Sequence, residues 1–420
     1  MVPLARPRLL FIAMPDSVHT ARWLNQITDQ GWDIRIFPCY HAPVHPLLRN
    51  VTVHDLVIHP RGVHPSVRLP GALRWPFPGD ARLVTYGMQI LRQSRRLTPW
   101  RPSHGERLAR LIRRWKPDLV QSLELQHSAY LTLEAKKILG AQFPPWIVTN
   151  WGSDIYLYRR LPEHREKIVD VLAACDYYSC ECCRDVGLAQ DLGFQGEILP
   201  VFPNTGGFNL DRVRPLRQAG PTSQRRVVLI KGYQGWSGRA LVALRAVELC
   251  APQLKGYTVA VYLANPDVEL AARLVEHETG IPVTIIPHVP HEEMLRWHGR
   301  ARVSVGVGIS DAISTSFLEA LVMGSFPVQS WTSCADEWVE DGRSAILVPP
   351  NDPDPIAAAI RRALADDALV DAAADLNWAT ASSRLDARTI KPQVVNLYKK
   401  LLDRTNSEPR AFPCRRGGKG

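Results

Sequence analysis

An α/β fold with two doubly wound parallel sheets is predicted by three observations. Apolar runs of strand length recur along the chain, helical patterns fall between them, and the Pro203-Asn204-Thr205-Gly206-Gly207 stretch separates two such halves. In the first half the runs place strands at 8–13, 33–37, 51–58, 118–122, 146–150, 177–180 and 197–200. The run Leu9-Leu10-Phe11-Ile12-Ala13 is apolar throughout, as in a strand covered on both faces. Helices are predicted between these runs at 20–30, 106–115, 129–139 and 163–174. The second half has strands at 226–230, 257–263, 283–287, 302–307, 326–329 and 345–348. There, Asp354 followed by Pro355 reads as an N-cap and first helical residue opening a helix over 355–365. A last helix over 388–402 carries Val394, Val395, Tyr398 and Leu401 on its apolar side. The tail 404–420 has no periodicity and is expected to be disordered.

Composition agrees with two full domains. The chain has 420 residues, 45% of them apolar, enough for two cores. The apolar run at 9–14 is too short for a signal sequence, and no window approaches the roughly 20 apolar residues of a membrane span. Eight cysteines are scattered except for Cys180, Cys182 and Cys183, whose spacing fits no common zinc pattern. Buried reduced thiols, no bound metal, no cofactor and a cytoplasmic location are the expectation.

Chemistry concentrates at 310–324. The alternating run Val303-Ser304-Val305-Gly306-Val307 leads into a polar turn, and then Phe317, Leu318, Leu321 and Val322 fall at helical spacing. A strand entering a helix through small residues leaves unpaired N–H groups at Ser314, Thr315 and Ser316, which attract phosphate with the help of the helix dipole. Glu319 lies one turn further, within reach of a ligand over that helix start.

These residues carry a family resemblance. Asp311, seven residues, Glu319-Ala320, Gly324 and then Phe326-Pro327-Val328 resemble the signature of family 4 retaining glycosyltransferases of the GT-B fold (glycosyl transferases group 1). The match continues through Glu337, Asp341-Gly342 and Ile346-Leu347-Val348-Pro349-Pro350. Upstream it includes Pro203-Asn204-Thr205-Gly206-Gly207-Phe208, and near the start Ser17-Val18-His19-Thr20 with Arg22-Trp23. It covers roughly 8–400 and is stronger in the second half. It implies two facing Rossmann-like sheets with an interdomain cleft. Residues 1–207, joined by the crossing helix 388–402, would bind the acceptor, and 208–387 the nucleotide sugar.

The resemblance also implies roles. Glu319 would hydrogen-bond the ribose hydroxyls, a contact that suits an ionised carboxylate, and Asp311 would face the donor sugar. Lys231 and Arg239 are the candidate cations for the leaving diphosphate, each expected to contribute about 2.7–4 kcal/mol to the barrier. Relatives carry Gly-Arg, four residues and Lys-Gly in this loop. Here Tyr233 and Ser237 stand at those cation positions, and Lys231 and Arg239 are their neighbours. On the acceptor side, His19, Glu124 and Asp154 sit where strands end. His19 reads equally as a hydrogen bonder at a helix start, and Glu124 and Asp154 as caps or turn formers. Trp151 stands where many relatives have His.

The net charge of +10 is uneven: from Arg92 to Lys116 there are nine Lys/Arg and one acid, Glu106, a net of +8. Beside it, 60–78 is rich in Pro and holds Trp75 and Phe77. This reads as a surface for an anionic membrane or a lipid-linked acceptor, against an ordinary exposed helix. No motif points to nucleic acid. The expected activity is metal-independent, retaining transfer of a sugar from a nucleotide-diphosphate donor to a glycan, lipid-linked or small-molecule acceptor, by a cytoplasmic protein that also docks at the inner face of the plasma membrane. The rivals are a nucleotide-sugar epimerase of the same fold and a non-catalytic protein binding sugar nucleotides or nucleic acid.

Overall fold

The computed structural model describes residues 6–56, 62–72 and 102–407. The first sheet has seven strands: β1 (Arg8–Ala13), β2 (Asp33–Pro38), β3 (Thr52–Val53), β4 (Leu119–Leu123), β5 (Trp146–Thr149), β6 (Tyr177–Ser179) and β7 (Glu197–Ile198). Their order is β3-β2-β1-β4-β5-β6-β7. Strand β1 pairs in parallel with both β2 and β4, so that Leu9 lies opposite Ile34 and Leu119. Residues 9–13 are all buried, which is why this strand is apolar at every position rather than at alternate ones. Its helices are α1 (Val18–Asn25), α2 (His104–Trp115), α3 (Tyr130–Leu139), α4 (Pro162–Ala174) and α5 (Cys183–Asp191).

The second sheet has β8 (Val227–Lys231), β9 (Thr258–Tyr262), β10 (Val283–Ile286), β11 (Ala301–Gly306), β12 (Phe326–Ser330) and β13 (Ile346–Val348), in the order β10-β9-β8-β11-β12-β13. Its pairs are parallel. The helices are α6 (Ala240–Leu249), α7 (Pro266–Thr279), α8 (His291–Arg300), α9 (Thr315–Met323), α10 (Pro353–Ala365) and α11 (Asp367–Arg384). Val228, Ile230, Val259, Val303, Val305 and Val328 are buried in one core with Leu244, Val247, Val268 and Ile360 from the helices. Each such side chain contributes about 1.5–3 kcal/mol on burial. The chain reverses its winding direction between β8 and β11, and such a reversal opens a crevice at the C-terminal strand ends.

The chain divides into two compact units, one of Met1–Thr149, Ala173–Tyr178 and Lys391–Gly420, the other of Asn150–Leu172 and Ser179–Ile390. Helix α12 (Ala387–Ser407) begins in the second and runs on into the first. In the first unit, the buried Tyr398 hydroxyl accepts from Trp23 Nε1 at 2.9 Å and donates to Gln121 Oε1, which fixes this helix on the sheet.

Several boundaries differ from the sequence reading. Asp352, not Asp354, caps α10: its carboxylate accepts from Asp354 N at 3.0 Å and Pro353 is the first helical residue. Both Asp-Pro pairs fit the rule, and the earlier one wins because it starts the helix one half-turn sooner. Ser17 caps α1 by accepting from His19 N, and that helix stops at Asn25 rather than at residue 30. Helix α12 continues to Ser407 through part of the expected tail, and 408–420 lie outside the described residues. So do residues 57 and 58 of the expected third strand, of which the structure has Thr52–Val53.

Candidate active site

The crevice of the second sheet holds a pocket of about 380 Å³ including its open mouth, lined among others by Lys231, Tyr233, Ser237, Ser310, Asp311 and Ser314. Strand β8 delivers Lys231, and the loop after β11 delivers 307–314. The two loops meet closely, with Arg239 N donating to Val307 O at 3.1 Å and Ile309 N to Ser237 O at 2.8 Å. Within the first of them a Cβ at Gly238 would lie 2.0 Å from Tyr233 O, so only glycine fits there. Ser314 is the N-cap residue of α9 but makes no capping bond with its side chain. Its hydroxyl accepts from Lys231 Nζ at 3.1 Å instead. The first turn of α9 therefore keeps donors for a ligand. Ser310 Oγ, 6% exposed as a residue, also lacks a partner. The arrangement suits an anionic group between Lys231 and the helix start.

Other predicted site residues are placed differently. The Arg239 guanidinium is held by Asn351 Oδ1 at 3.0 Å and by the carbonyls of Gly235 and Gly238, and it does not line the pocket. The Ser316 hydroxyl bonds the buried Tyr262 hydroxyl. Glu319 is 5% exposed and lies outside the pocket lining. Its carboxylate meets His291 Nε2 at 2.7 Å and His298 Nε2 at 3.5 Å. Burial pushes its pKa up, but the two histidines outweigh burial and hold it well below the usual carboxylate range. His298 is fixed in turn through Nδ1 by Ser304 Oγ at 3.1 Å. Sequence reading missed both histidines, although His291 and His298 are seven apart on one helix face, which was the available signal.

The acceptor-side candidates have local bonds. In the first unit, His19 lies in the first turn of α1. Glu124 adopts φ +89° and accepts from the amides of His127 and Ser128 and from His127 Nδ1 at 3.1 Å. Its hydrogen bond raises the His127 pKa. In the second unit, Asp154 Oδ2 accepts from Trp151 N at 2.8 Å and closes the Trp151–Asp154 turn.

A carboxyl that sequence reading passed over lies beside Asp311. Glu181, 8% exposed, accepts from Asn204 N at 3.0 Å and from Gly152 N at 3.4 Å. Gly152, at φ +47°, abuts Asp311, since a Cβ on it would stand 3.4 Å from Asp311 Oδ1. Burial first, and the charges of Asp311 and Asp185 after it, push the Glu181 pKa up to about 8 against the two amides. Arg184 clamps the same loop: Nη2 donates to Asp311 O at 2.8 Å and Nε to Asp185 at 2.8 Å. In the sequence Glu181 stands between Cys180 and the pair Cys182-Cys183, in no motif of its own. Of these, Cys182 meets Cys334, with both sulfurs and a Glu337 oxygen within 4.8 Å. Glu337 is committed to the start of α5, accepting from Cys183 N and Arg184 N.

Comparison with known structures identifies the architecture. The chain is similar to a sucrose-phosphate synthase from Thermosynechococcus elongatus, with 16% identity, 95% of this chain and 100% of that one covered, and a TM-score of 0.66. A UDP-forming α,α-trehalose-phosphate synthase from Burkholderia vietnamiensis gives 14% identity, coverage of 96% and 100%, and 0.66. Anabaena Alr3699/HepE in complex with UDP-glucose gives 13%, 93% and 99%, and 0.63. The fold is thereby GT-B, with a parallel sheet in each half. Residues 226–366, which contain the pocket, match the family described as glycosyl transferases group 1. No curated protein sequence matches the chain.

Proposed function

We propose that this chain is a glycosyltransferase that moves a sugar from a nucleotide-diphosphate donor to a hydroxyl acceptor with retention. The observation that carries this reading is the uncapped start of α9 facing Lys231 in a pocket that also contains Asp311, within the segment matched by the glycosyl transferases group 1 family. That Anabaena Alr3699/HepE was solved with UDP-glucose adds support for a nucleotide-sugar donor. As the glycosidic bond breaks, the diphosphate gains charge. Lys231 and the amides of residues 315 and 316 meet that charge without reorganising, which lowers the barrier. These groups replace a divalent ion. Asp311 faces the transferred sugar, and Glu319 with His291 forms the ribose end.

In this reading residues 208–387 hold the donor, while 1–207 with helix 388–402 hold the acceptor, at the cytoplasmic face of a membrane. Within the described part of the basic segment, Arg110, Arg113, Arg114 and Lys116 of α2 and its cap are exposed. Arg107 is spent on Asp55 at 3.1 Å. Residues 92–101 lie outside the described residues. Among the described residues no helix is long and apolar enough to cross a membrane. The test is a thermal-shift screen of UDP-, GDP- and ADP-sugars, followed by a nucleotide-diphosphate release assay with candidate acceptors. Stabilisation by one donor class and acceptor-dependent release are expected. Isomerisation of the donor without an acceptor and without net nucleotide release would instead mean an epimerase, and binding without any turnover a non-catalytic protein.

A further inference from the structure

Glu181 joins three segments that are far apart in sequence. One carboxylate oxygen takes the amide of Asn204 in the 203–207 stretch and the other the amide of Gly152 in the turn after β5. Gly152 is in turn against Asp311, a pocket residue. The Asp311 side chain bonds its own neighbour Ala312 N at 2.9 Å, and its carbonyl takes Arg184. The near face of Asp311 is thus set by the Gly152 turn, and the Gly152 turn by Glu181. A buried carboxyl with no cation of its own, bonded by two amides and next to a second carboxyl, is costly. It persists where the surrounding backbone must be held in one arrangement.

We propose that Glu181 is a positioning residue for Asp311, holding the Gly152 turn and the Asn204 segment so that the Asp311 end of the pocket fits the transferred sugar. The role assigned to that end rests on the glycosyltransferase reading. The titratable and charged groups around Glu181 are Asp185 and Arg184 on α5, Cys180 before it, Asp154 in the Gly152 turn, and Asp311 in the loop after β11. The 203–207 segment contributes none. Arg184 is shared between Asp185 and backbone carbonyls, so it does not neutralise Glu181, and burial with the charges of Asp311 and Asp185 pushes the Glu181 pKa up to about 8. When ionised, Glu181 faces Asp311 and Asp185, and repulsion pushes the turn it holds away from Asp311.

The test uses the full chain with Glu181→Gln and Glu181→Ala. Glu181 carboxyl carbon resonances are followed against pH, together with the Gly152 and Asn204 amides. The parent should show one midpoint near pH 8 in all three signals, and Glu181→Gln should lose it from both amides. With UDP and UDP-glucose as probes, Glu181→Gln should bind UDP within two-fold of the parent and lose the alkaline fall in UDP-glucose turnover. Glu181→Ala should lower kcat at least ten-fold with UDP affinity unchanged. Gly152 and Asn204 amides that do not follow the Glu181 midpoint overturn the proposal. So does unchanged turnover in both variants. If the parent neither binds UDP nor turns over UDP-glucose, the glycosyltransferase reading is what suffers, and the amide titration still decides the positioning role. If Glu181→Ala does not fold, Glu181→Gln carries both measurements.

Discussion

Lys231 Nζ reaches Ser314 Oγ at 3.1 Å, linking the C-terminal end of β8 to the N-terminus of α9 across the pocket. The bond takes the serine hydroxyl away from the capping position it would otherwise fill. A cation and a set of free helix amides are thereby aimed at one place. Any dianionic group bound there would find its charge met from two sides.

Lys231→Ala should accordingly lower kcat by about 10²–10³-fold, with a much smaller effect on nucleotide affinity, because the added phosphate charge appears mainly in the transition state. Steady-state kinetics beside UDP titration separates the two. An equal loss in both quantities would make Lys231 a ground-state binder. Arg239→Ala, whose guanidinium is held by Asn351 and loop carbonyls, should act on loop stability before it acts on rate.

Glu319→Gln should destabilise the second unit by about 1.5–3 kcal/mol at neutral pH, the range for hydrogen bonds to a charged group. The sign with pH follows from the lowered pKa. The unfolded carboxyl binds protons more readily than the folded one, so this contribution is present above the unfolded pKa and is lost as pH falls through the folded one. The difference in urea midpoint between parent and variant should narrow from pH 7 to pH 3 without closing, since pH 3 lies between the unfolded and the folded pKa. A gap that stays constant would count against an ionised Glu319.

Glu181 should act in the opposite sense. Its folded pKa is raised to about 8, so between the unfolded carboxylate range and that value the folded state holds the extra proton. Its contribution therefore becomes less favourable as pH rises through that window and levels off above it. Thermal unfolding of the parent should show this decline relative to Glu181→Gln. Parallel curves for the two proteins would contradict a protonated Glu181.

If, as proposed, Lys231 and the α9 amides supply the positive charge at the phosphates, activity should survive thorough chelation. Loss of turnover with EDTA, restored by Mg²⁺ or Mn²⁺, would show that a metal ion does this instead.

The exposed Arg110, Arg113, Arg114 and Lys116 should bind anionic vesicles at low salt, each contributing about 1 kcal/mol near the surface. Binding should fade as salt rises. Replacing the three arginines with Ser should weaken sedimentation with anionic vesicles and leave neutral vesicles unaffected. Equal sedimentation of the parent with both vesicle types would end the membrane reading.

The alternation of strands and helices, the turn from β11 into α9 and the place of Lys231, Asp311 and Ser314 around it were legible from the sequence. Burial on both faces writes itself into contiguous apolar runs, and a strand–loop–helix unit is local in the chain. Partners were not legible, because they come from other elements. Glu319 reads as a free helix carboxylate until α8 brings His291 and His298 against it. Arg239 reads as a loop cation until Asn351, 112 residues away, takes its guanidinium. Glu181 reads as one acid among cysteines until Gly152, Asn204 and Asp311 close around it. The period of burial determines secondary structure and can be read along one dimension. Protonation and side-chain orientation depend on which distant groups share a low-dielectric space, and only the packed chain decides that.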